Sequence, residues 1–257
     1  MRILKLVATV ASAVLVPLIG LCGGNQAYAQ TSAPPADAQS KAVLELYTSQ
    51  GCSSCPAADA LLGTYAARGD VVALTFPVDY WDYLGWKDTL ADAKFTARQR
   101  AYAKSRGDGR IYTPQLVVNG LAHVNGAHGK EIDYAITKTA GKLSGSRIPL
   151  HVASRDGKIV IDVGAMPEGD KAGDGAIWLA FLRKEIQVPV RTGENQGQML
   201  TYFNVVREWK QAGSWNGRPM TIQVDRQSVK PDVDSCAVLL QGGMTGPIVG
   251  AAYLAKL

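Results

Sequence analysis

An α/β fold is predicted by three features of the sequence. An apolar stretch, Ala42–Tyr47, leads through a polar turn to two cysteines, Cys52 and Cys55, at the start of a helical pattern. A second apolar stretch follows, and a Thr-Pro dipeptide at 113–114 precedes two short strands that are separated by Asn-Gly at 119–120, which is typical of a β-hairpin. This order of elements predicts a thioredoxin-like topology, and the short strands after it predict a β-rich second half.

The N-terminus has the pattern of a secretory signal peptide. Two basic residues precede a mainly apolar stretch of 16 residues, Leu6 to Leu21, and Ala-Tyr-Ala at 27–29 is a small-x-small cleavage pattern. The alternative is a transmembrane anchor, but about 20 apolar residues are needed to cross a bilayer. We therefore predict a signal peptide over 1–29 and, because Pro, Ala and Ser follow it, a flexible leader over 30–40.

Charge and cysteine content restrict the classes of partner. Cleavage after Ala29 would remove two of the 27 basic residues and none of the 22 acidic ones, which leaves a net charge of +3. Because the charges are interspersed, we expect no nucleic-acid partner and no membrane association after cleavage. The expected location is the periplasm or the exterior, where disulfides persist. Three of the four cysteines would remain, and a Cys-x-x-Cys pair there is a candidate redox site.

The predicted thioredoxin-like domain spans residues 41–145. Apolar residues at helical spacing predict a helix from Pro56 to Ala66, and Val71–Phe76 predicts the next strand. An insertion, 77–109, contains a further helical pattern. The domain would end with two hairpin strands and a helix: Gln115–Val118, Leu121–Val124 and Glu131–Leu143.

The composition changes near residue 145, where helix-forming residues give way to short apolar stretches separated by Gly and Pro. Asp-Gly at 156–157 separates two of these stretches, as expected for another hairpin. We therefore predict a small, mainly antiparallel, sandwich-like β domain over 146–257.

The two paired cysteines are the candidate catalytic residues. A thiol attacks as thiolate, and the positive end of a helix dipole favours the thiolate. Cys52 would be the nucleophile, and Cys55, one helical turn later, would resolve the mixed disulfide. Because Pro56 disfavours helical geometry in the residue before it, the first regular turn is expected to begin at Cys55 or Pro56.

Thr113 and Pro114 are the candidate substrate-binding residues. A cis Thr-Pro bond would turn the backbone of Thr113 toward the dithiol, and an extended substrate segment would pair with that backbone. Trp81 belongs to an acidic and aromatic loop, 79–86, for which two interpretations stay open. The loop either lines a substrate groove beside the dithiol or packs and caps the inserted helix.

These motifs resemble a secreted thioredoxin-like family known as domain of unknown function 1223 (DUF1223). The residues that carry the resemblance are Leu-Tyr-Thr-Ser-Gln-Gly-Cys-Ser-Ser-Cys-Pro at 46–56, the aromatic segment 78–86, and Tyr-Thr-Pro-Gln-Leu-Val-Val-Asn-Gly at 112–120. The resemblance also includes 193–195 and 204–207, and thus nearly the whole mature chain. It implies a thioredoxin-like fold and export, and it brings no established substrate.

Glu45 is the candidate for proton transfer. It lies within the first strand, as does an acid in thioredoxin and in bacterial disulfide oxidases, which this stretch resembles, and it would accept a proton from Cys55. Glu45 precedes Cys52 by seven positions, whereas those relatives use six. A shift of one residue turns a strand side chain to the opposite face unless a bulge intervenes. The alternative is a paired or partly exposed strand carboxylate.

The expected function is that of an exported thiol-disulfide oxidoreductase. Its partners would be protein or small-molecule thiols and disulfides, together with a periplasmic redox partner. No cofactor is expected, and no metal site, because the three histidines do not fall at ligand spacing with the cysteines. Cys236 is expected to be a small buried residue. Two alternatives stay open: two soft thiolates that carry Cu(I), or a non-catalytic binding module with a vestigial dithiol.

Overall fold

The described residues of this computed structural model, 40–168 and 174–257, form a mixed α/β fold. The predicted signal peptide and all of the predicted leader except Ser40 lie outside these residues. No helix of the described part is long and apolar enough to cross a bilayer. In chain order the helices and strands are β1 Ala42–Thr48, α1 Pro56–Ala66, β2 Val71–Pro77, α2 Ala93–Arg106, β3 Gln115–Val118, β4 Ala122–Asn125, α3 Gly129–Leu143, β5 Leu150–Arg155, β6 Lys158–Val163, β7 Gly175–Pro189, β8 Met199–Trp215, β9 Met220–Asp225, β10 Ser235–Gly242 and β11 Ile248–Leu254.

Eight strands form one sheet in the order β11-β10-β7-β8-β2-β1-β3-β4. Strand β1 pairs in parallel with β2 and antiparallel with β3, and β3 pairs antiparallel with β4. Asn119 and Gly120 have φ values of 52° and 68°, as a type I′ turn between two hairpin strands requires. Strand β8 joins the other edge of β2 in parallel at Thr75 and Val205. A separate three-stranded antiparallel sheet has the order β5-β6-β9.

The large sheet crosses the predicted domain boundary near residue 145. Strands β7, β8, β10 and β11, all from the predicted second domain, extend the sheet that β1 to β4 begin. Strands β7 and β8 are long, with 15 and 17 residues, and β8 therefore reaches the free edge of β2 and pairs with it. The three-stranded sheet packs its apolar face on β7 and β10, so this part has two β layers, one of which is the common sheet.

Helices cover opposite faces of the sheet around β1. The face that presents Leu44 and Leu46 packs against α1 and α3, and the face that presents Val43 and Tyr47 packs against α2. This division follows from the alternation of side chains along a strand. Glu45 therefore belongs to the face that α2 covers.

Candidate functional site

The two cysteines lie in the turn between β1 and α1 and form a disulfide, with their Cα atoms 5.4 Å apart. Cys52 is 1% exposed and Cys55 is fully buried, whereas Ser53 and Ser54 between them are exposed. The hydroxyl of Ser54 lies 3.5 Å from the sulfur of Cys52. The disulfide is thus held directly beneath two exposed serines.

The dithiol turn leads directly into α1. The helix begins at Pro56, and the carbonyl of Cys55 accepts hydrogen bonds from the amides of Ala58 and Asp59, at 2.9 and 3.0 Å. The amide of Cys55 donates to the carbonyl of Cys52 at 3.1 Å. Cys52 thus lies just before the first regular turn, at the positive end of the helix dipole.

Trp81 connects the dithiol turn to the Thr-Pro turn. Its indole N–H donates to the hydroxyl of Thr113 at 2.8 Å, and the peptide bond between Thr113 and Pro114 is cis. A β-carbon added to Gly51 would lie 3.2 Å from the Cβ of Trp81, so the backbone beside Cys52 packs directly against this tryptophan. The structure therefore brings Cys52, Trp81 and Thr113 into one region.

Pro114 lies beside the first turn of α1. The amide of Gly126 donates to the carbonyl of Pro114 at 3.0 Å. A β-carbon on Gly126 would lie 3.1 Å from the Cβ of Ala58 and 3.5 Å from the Cβ of Pro114. The absence of a side chain at Gly126 allows Pro114 and the start of α1 to approach each other.

The acidic and aromatic loop packs against the dithiol turn and against α2, as one of its two interpretations expected. Trp86 donates its indole N–H to the side-chain oxygen of Gln50 at 2.8 Å, and Asp79 accepts from the hydroxyl of Thr96 in α2 at 2.5 Å. These two contacts are structural. Tyr83, by contrast, is 79% exposed. The loop thus packs against the dithiol turn and α2 while it leaves one aromatic ring at the surface.

A segment from the second half of the chain is hydrogen-bonded to the dithiol turn. The side-chain amide of Asn195 donates to the carbonyls of Gln50 and Cys52, at 2.9 and 3.0 Å. The carboxylate of Glu194 accepts from the amide of Ser53 at 3.1 Å. The hydrogen bonds from Ser53 lower the pKa of Glu194, so a carboxylate is held at this turn. The motif resemblance included this segment and assigned it no role.

Replacing Glu194 with glutamine is expected to make reduced Cys52 more reactive. A nearby carboxylate disfavours a thiolate, so removal of its charge should lower the pKa of the Cys52 thiol. The expected result is alkylation by iodoacetamide at pH 7 that is about two- to fivefold faster. Glu185→Gln, at an exposed position of β7, is the matched control and should leave the rate unchanged. An equal rate for Glu194→Gln and wild type would contradict the electrostatic role.

Glu45 lies on the face of β1 opposite α1, so the structure does not support its predicted role in proton transfer. The carboxylate accepts from Arg98 Nε at 2.8 Å and from the hydroxyl of Tyr102 at 2.5 Å, both from α2, on the face of β1 opposite α1. Glu45 precedes Cys52 by seven positions and not six, and this shift of one residue turns the Glu45 side chain away from α1. The alternative interpretation, a paired strand carboxylate, describes its position.

Asp59 is a functional candidate that the sequence analysis did not identify. It lies four residues after Cys55 and is almost fully buried, and neither of its carboxyl oxygens has a hydrogen-bond partner among the described residues. Burial raises the pKa of Asp59 well above its ordinary value of 3.8, and the nearby Asp88 carboxylate raises this pKa further. The Thr48 hydroxyl acts to lower the pKa, although it does not reach hydrogen-bond geometry. Residues four apart are neighbours on a helix surface, so this buried acid adjoins Cys55.

Asp88 and Tyr202 complete a buried polar cluster around Asp59. Asp88 accepts from the amides of Gln50 and Leu90, both at 2.8 Å, and burial raises its pKa to about 6. The hydroxyl of Tyr202 is buried without a partner in the described part of the chain. Burial, and then the proximity of Asp59 and Asp88, raises the pKa of Tyr202. A cluster of this kind near a dithiol can hold a proton away from solvent.

Cys236 is buried in β10, as expected, and burial raises the pKa of its thiol to about 12. The described residues contain no group of three or more His, Cys, Asp or Glu side chains that could hold a metal ion.

Comparison with known proteins gives one family and two structural relatives. The family described as protein of unknown function (DUF1223) matches residues 43–241. The chain is similar to protein AGR_C_4864 from Agrobacterium tumefaciens, whose crystal structure has a TM-score of 0.74 and 36% identity and is matched over 84% of this chain and 94% of that one. HBP35 of Porphyromonas gingivalis shares the fold at a TM-score of 0.56, with 10% identity over 85% of this chain and 76% of that one. Among curated proteins, none matches the chain.

Proposed function

The chain belongs to the DUF1223 family of proteins of unknown function, and we propose that it is an exported thiol-disulfide oxidoreductase with a thioredoxin-like core. One observation carries the proposal. A Cys-x-x-Cys disulfide at the start of α1 lies beside Trp81, which is hydrogen-bonded to Thr113 of the cis Thr113-Pro114 turn. A dithiol next to a turn with a free backbone edge can receive an extended substrate segment.

The arrangement of the first half supports the thioredoxin-like part of the proposal. Strand β1, the dithiol, α1 and the parallel strand β2 come first, and the Thr-Pro turn, the β3–β4 hairpin and α3 follow α2. These strands lie side by side in the order β2-β1-β3-β4. In this proposal β8 and the strands beyond it are additions to one edge of that core.

In the reducing direction, the thiolate of Cys52 attacks a substrate disulfide. A bond forms between the Cys52 sulfur and one substrate sulfur, and the other substrate sulfur leaves with the electron pair and takes a proton. The thiolate of Cys55 then attacks the Cys52 sulfur, which closes the Cys52–Cys55 disulfide and releases the second substrate thiol. The substrate gains two electrons and two protons, and a periplasmic dithiol partner supplies them again to the protein. The oxidising direction reverses these steps.

Access to Cys52 requires movement, because its side chain is 1% exposed. The segment 193–195 is bonded to this turn through Glu194 and Asn195, and we assign to it the displacement that exposes the sulfur. Exposed Tyr83 and the backbone of Thr113 would then contact the substrate.

The burial of both cysteines is also what a non-catalytic binding module would show. A binding module is therefore the second candidate function.

Asp59 takes the role that was expected of Glu45. Cys55 must lose a proton before it attacks the mixed disulfide, and a buried carboxyl with a raised pKa is a suitable partner for that proton near neutral pH. Its position four residues after Cys55 supports this assignment. The acid would thus be supplied by the helix and not by the strand.

Trapping with glutathione disulfide tests the proposed function. Reduced Cys55→Ser is expected to accumulate a stable glutathione adduct on Cys52, because no thiol remains to resolve it, whereas wild type should pass through the adduct and end as the Cys52–Cys55 disulfide. Mass spectrometry of the intact protein and of its peptides locates the adduct. We expect Cys52→Ser, which keeps Cys55, to form the adduct at least about 100-fold more slowly, because in this proposal the movement of segment 193–195 exposes Cys52 and leaves Cys55 buried.

Cys236→Ser is the matched control, because it removes a cysteine that is buried in β10. It should behave as wild type does. Equal adduct formation by Cys52→Ser and Cys55→Ser, or no adduct on either, would contradict the proposal and favour the binding module.

A further inference from the structure

Gln99 of α2 is hydrogen-bonded on both sides of the Thr113-Pro114 turn. Its side chain is fully buried, and the amide nitrogen donates to the carbonyl of Tyr112 at 2.8 Å and to Oε1 of Gln115 at 2.9 Å. These two acceptors belong to the residues immediately before and after the Thr-Pro pair. One amide group of the inserted helix thus spans the turn.

Two further hydrogen bonds hold the same segment. Gln115 is also fully buried, and its amide nitrogen donates to the carbonyl of Arg110 at 3.1 Å. The indole N–H of Trp81 donates to the hydroxyl of Thr113. The segment 110–115 is therefore attached to α2 through Gln99 and to the acidic and aromatic loop through Trp81.

The backbone of Thr113 is the part of the turn that these hydrogen bonds leave free. Neither its amide nor its carbonyl makes a hydrogen bond within the described part of the chain. An extended peptide pairs more tightly with a backbone that is already held in one orientation, because less conformational entropy is lost on binding. Gln99 restrains the chain on both sides of Thr113 and so supplies this orientation.

The polar group of Gln99 is used only for these two contacts. Burying an amide costs free energy unless the amide is hydrogen-bonded. Oε1 of Gln99 is buried and has no hydrogen-bond partner among the described residues. All hydrogen bonds that this side chain makes in the described part of the chain therefore end on the segment that contains the turn.

We propose that Gln99 is a positioning residue for the substrate-binding turn, and that through this turn it gives the site a preference for extended peptide disulfides over small ones. This inference rests on the proposed function, in which the backbone of Thr113 pairs with the substrate. The inserted helix α2 contributes to recognition in this way without contacting the substrate itself.

Oxidation of the reduced protein by three probes tests this role. The first is a blocked pentapeptide whose central cysteine forms a mixed disulfide with 2-mercaptoethanol. The second is the same peptide with its central backbone amides N-methylated, and the third is 2-hydroxyethyl disulfide. Each reaction converts the two thiols of the protein into the Cys52–Cys55 disulfide and the probe disulfide into two free thiols. Because N-methyl groups remove the donors for backbone pairing, we expect wild type to react at least about tenfold faster with the first probe than with the second.

Gln99→Met keeps approximately the length of the side chain and removes both donated hydrogen bonds. We expect its preference for the unmethylated peptide to fall to less than about threefold, with an unchanged rate for 2-hydroxyethyl disulfide. Thr139→Val is the matched control, because it removes a buried hydroxyl that accepts from Asn119 Nδ2 at 2.9 Å, at the opposite end of β3. It should keep the wild-type preference.

Three outcomes would overturn the proposal. A Gln99→Met protein that keeps the tenfold preference would show that the turn does not depend on this side chain, and equal slowing with all three probes would show a general loss of structure. A wild type that reacts with 2-hydroxyethyl disulfide but does not distinguish the two peptides would overturn this proposal and leave thiol-disulfide exchange intact. No reaction of wild type with any probe would contradict the proposed function and this inference with it.

Discussion

Replacing Arg98 with methionine is expected to destabilise the protein by about 3–5 kcal/mol, because it leaves a buried carboxylate without its partner. Glu45 is fully buried in β1, and its carboxylate accepts from Arg98 Nε at 2.8 Å. Burial acts to lower the pKa of Arg98, but the adjacent Glu45 carboxylate outweighs this effect and raises it, so the guanidinium stays charged in the folded state. Unfolding by guanidinium chloride, followed by circular dichroism, measures the loss.

The size of this effect comes from the other contacts of Arg98. Its Nη2 donates to the hydroxyl of Tyr102 and to the side-chain oxygen of Gln241, at 2.9 and 3.0 Å. The amide of Gln241 in turn donates to Tyr102 at 2.7 Å. One guanidinium thus joins β1, α2 and β10. Its removal takes the donor from Glu45 Oε1 and Gln241 Oε1, whereas the Tyr102 hydroxyl keeps its bond from Gln241.

Two further variants distinguish the effect of breaking the ion pair from the effect of losing an arginine side chain. Arg100→Met, at an exposed position of the same helix, should change the free energy of unfolding by less than about 0.5 kcal/mol. The double variant Glu45→Met with Arg98→Met should be more stable than Arg98→Met alone, because no unpaired charge remains. A double variant that is no more stable than the single one would show that packing, and not charge pairing, sets the cost.

The strands and helices of the first half follow the sequence closely, because local signals specify them. Alternation, helical spacing and the Asn119-Gly120 turn act over a few residues, and the structure places each of these elements within a few residues of its predicted position. The pairing of β8 with β2 could not be predicted in this way. It joins residues about 130 positions apart through Thr75 and Val205, and no local pattern specifies that edge.

The candidate site likewise contains residues that local motifs identify and residues whose positions depend on distant parts of the chain. Cys52, Cys55, Thr113 and Pro114 are identified by local motifs, and the structure brings these two turns together around Trp81. The direction of Glu45 depended on a single residue of register, which spacing alone left open. No local pattern specifies the burial of Arg98 in α2, because the strand carboxylate that faces it, Glu45, comes from another part of the chain.

Asp59→Asn is expected to stabilise the protein above pH 4 and to slow the step in which Cys55 resolves the mixed disulfide. The folded pKa of Asp59 is raised above its ordinary value of 3.8, so above that pH the unfolded chain releases a proton that the folded chain retains. The contribution of Asp59 to wild-type stability should therefore fall as the pH rises from 4 to the raised pKa, by up to about 1.4 kcal/mol per pH unit. The asparagine variant lacks this loss, so its advantage over wild type should grow with pH in denaturant unfolding.

The same substitution should slow the resolving step, because the amide cannot accept a proton from Cys55. We expect release of glutathione from the Cys52 adduct to be about 10- to 100-fold slower at pH 7, and the difference to shrink at higher pH, where hydroxide can remove the proton. Asp156→Asn, in an exposed hairpin turn, is the matched control and should change neither quantity. A variant whose stability advantage over wild type grows with pH but that resolves the adduct at the wild-type rate would show that Asp59 is only a buried acid. Loss of the rate difference at alkaline pH distinguishes proton transfer from misplacement of the sulfurs, since misplacement would slow the step at every pH.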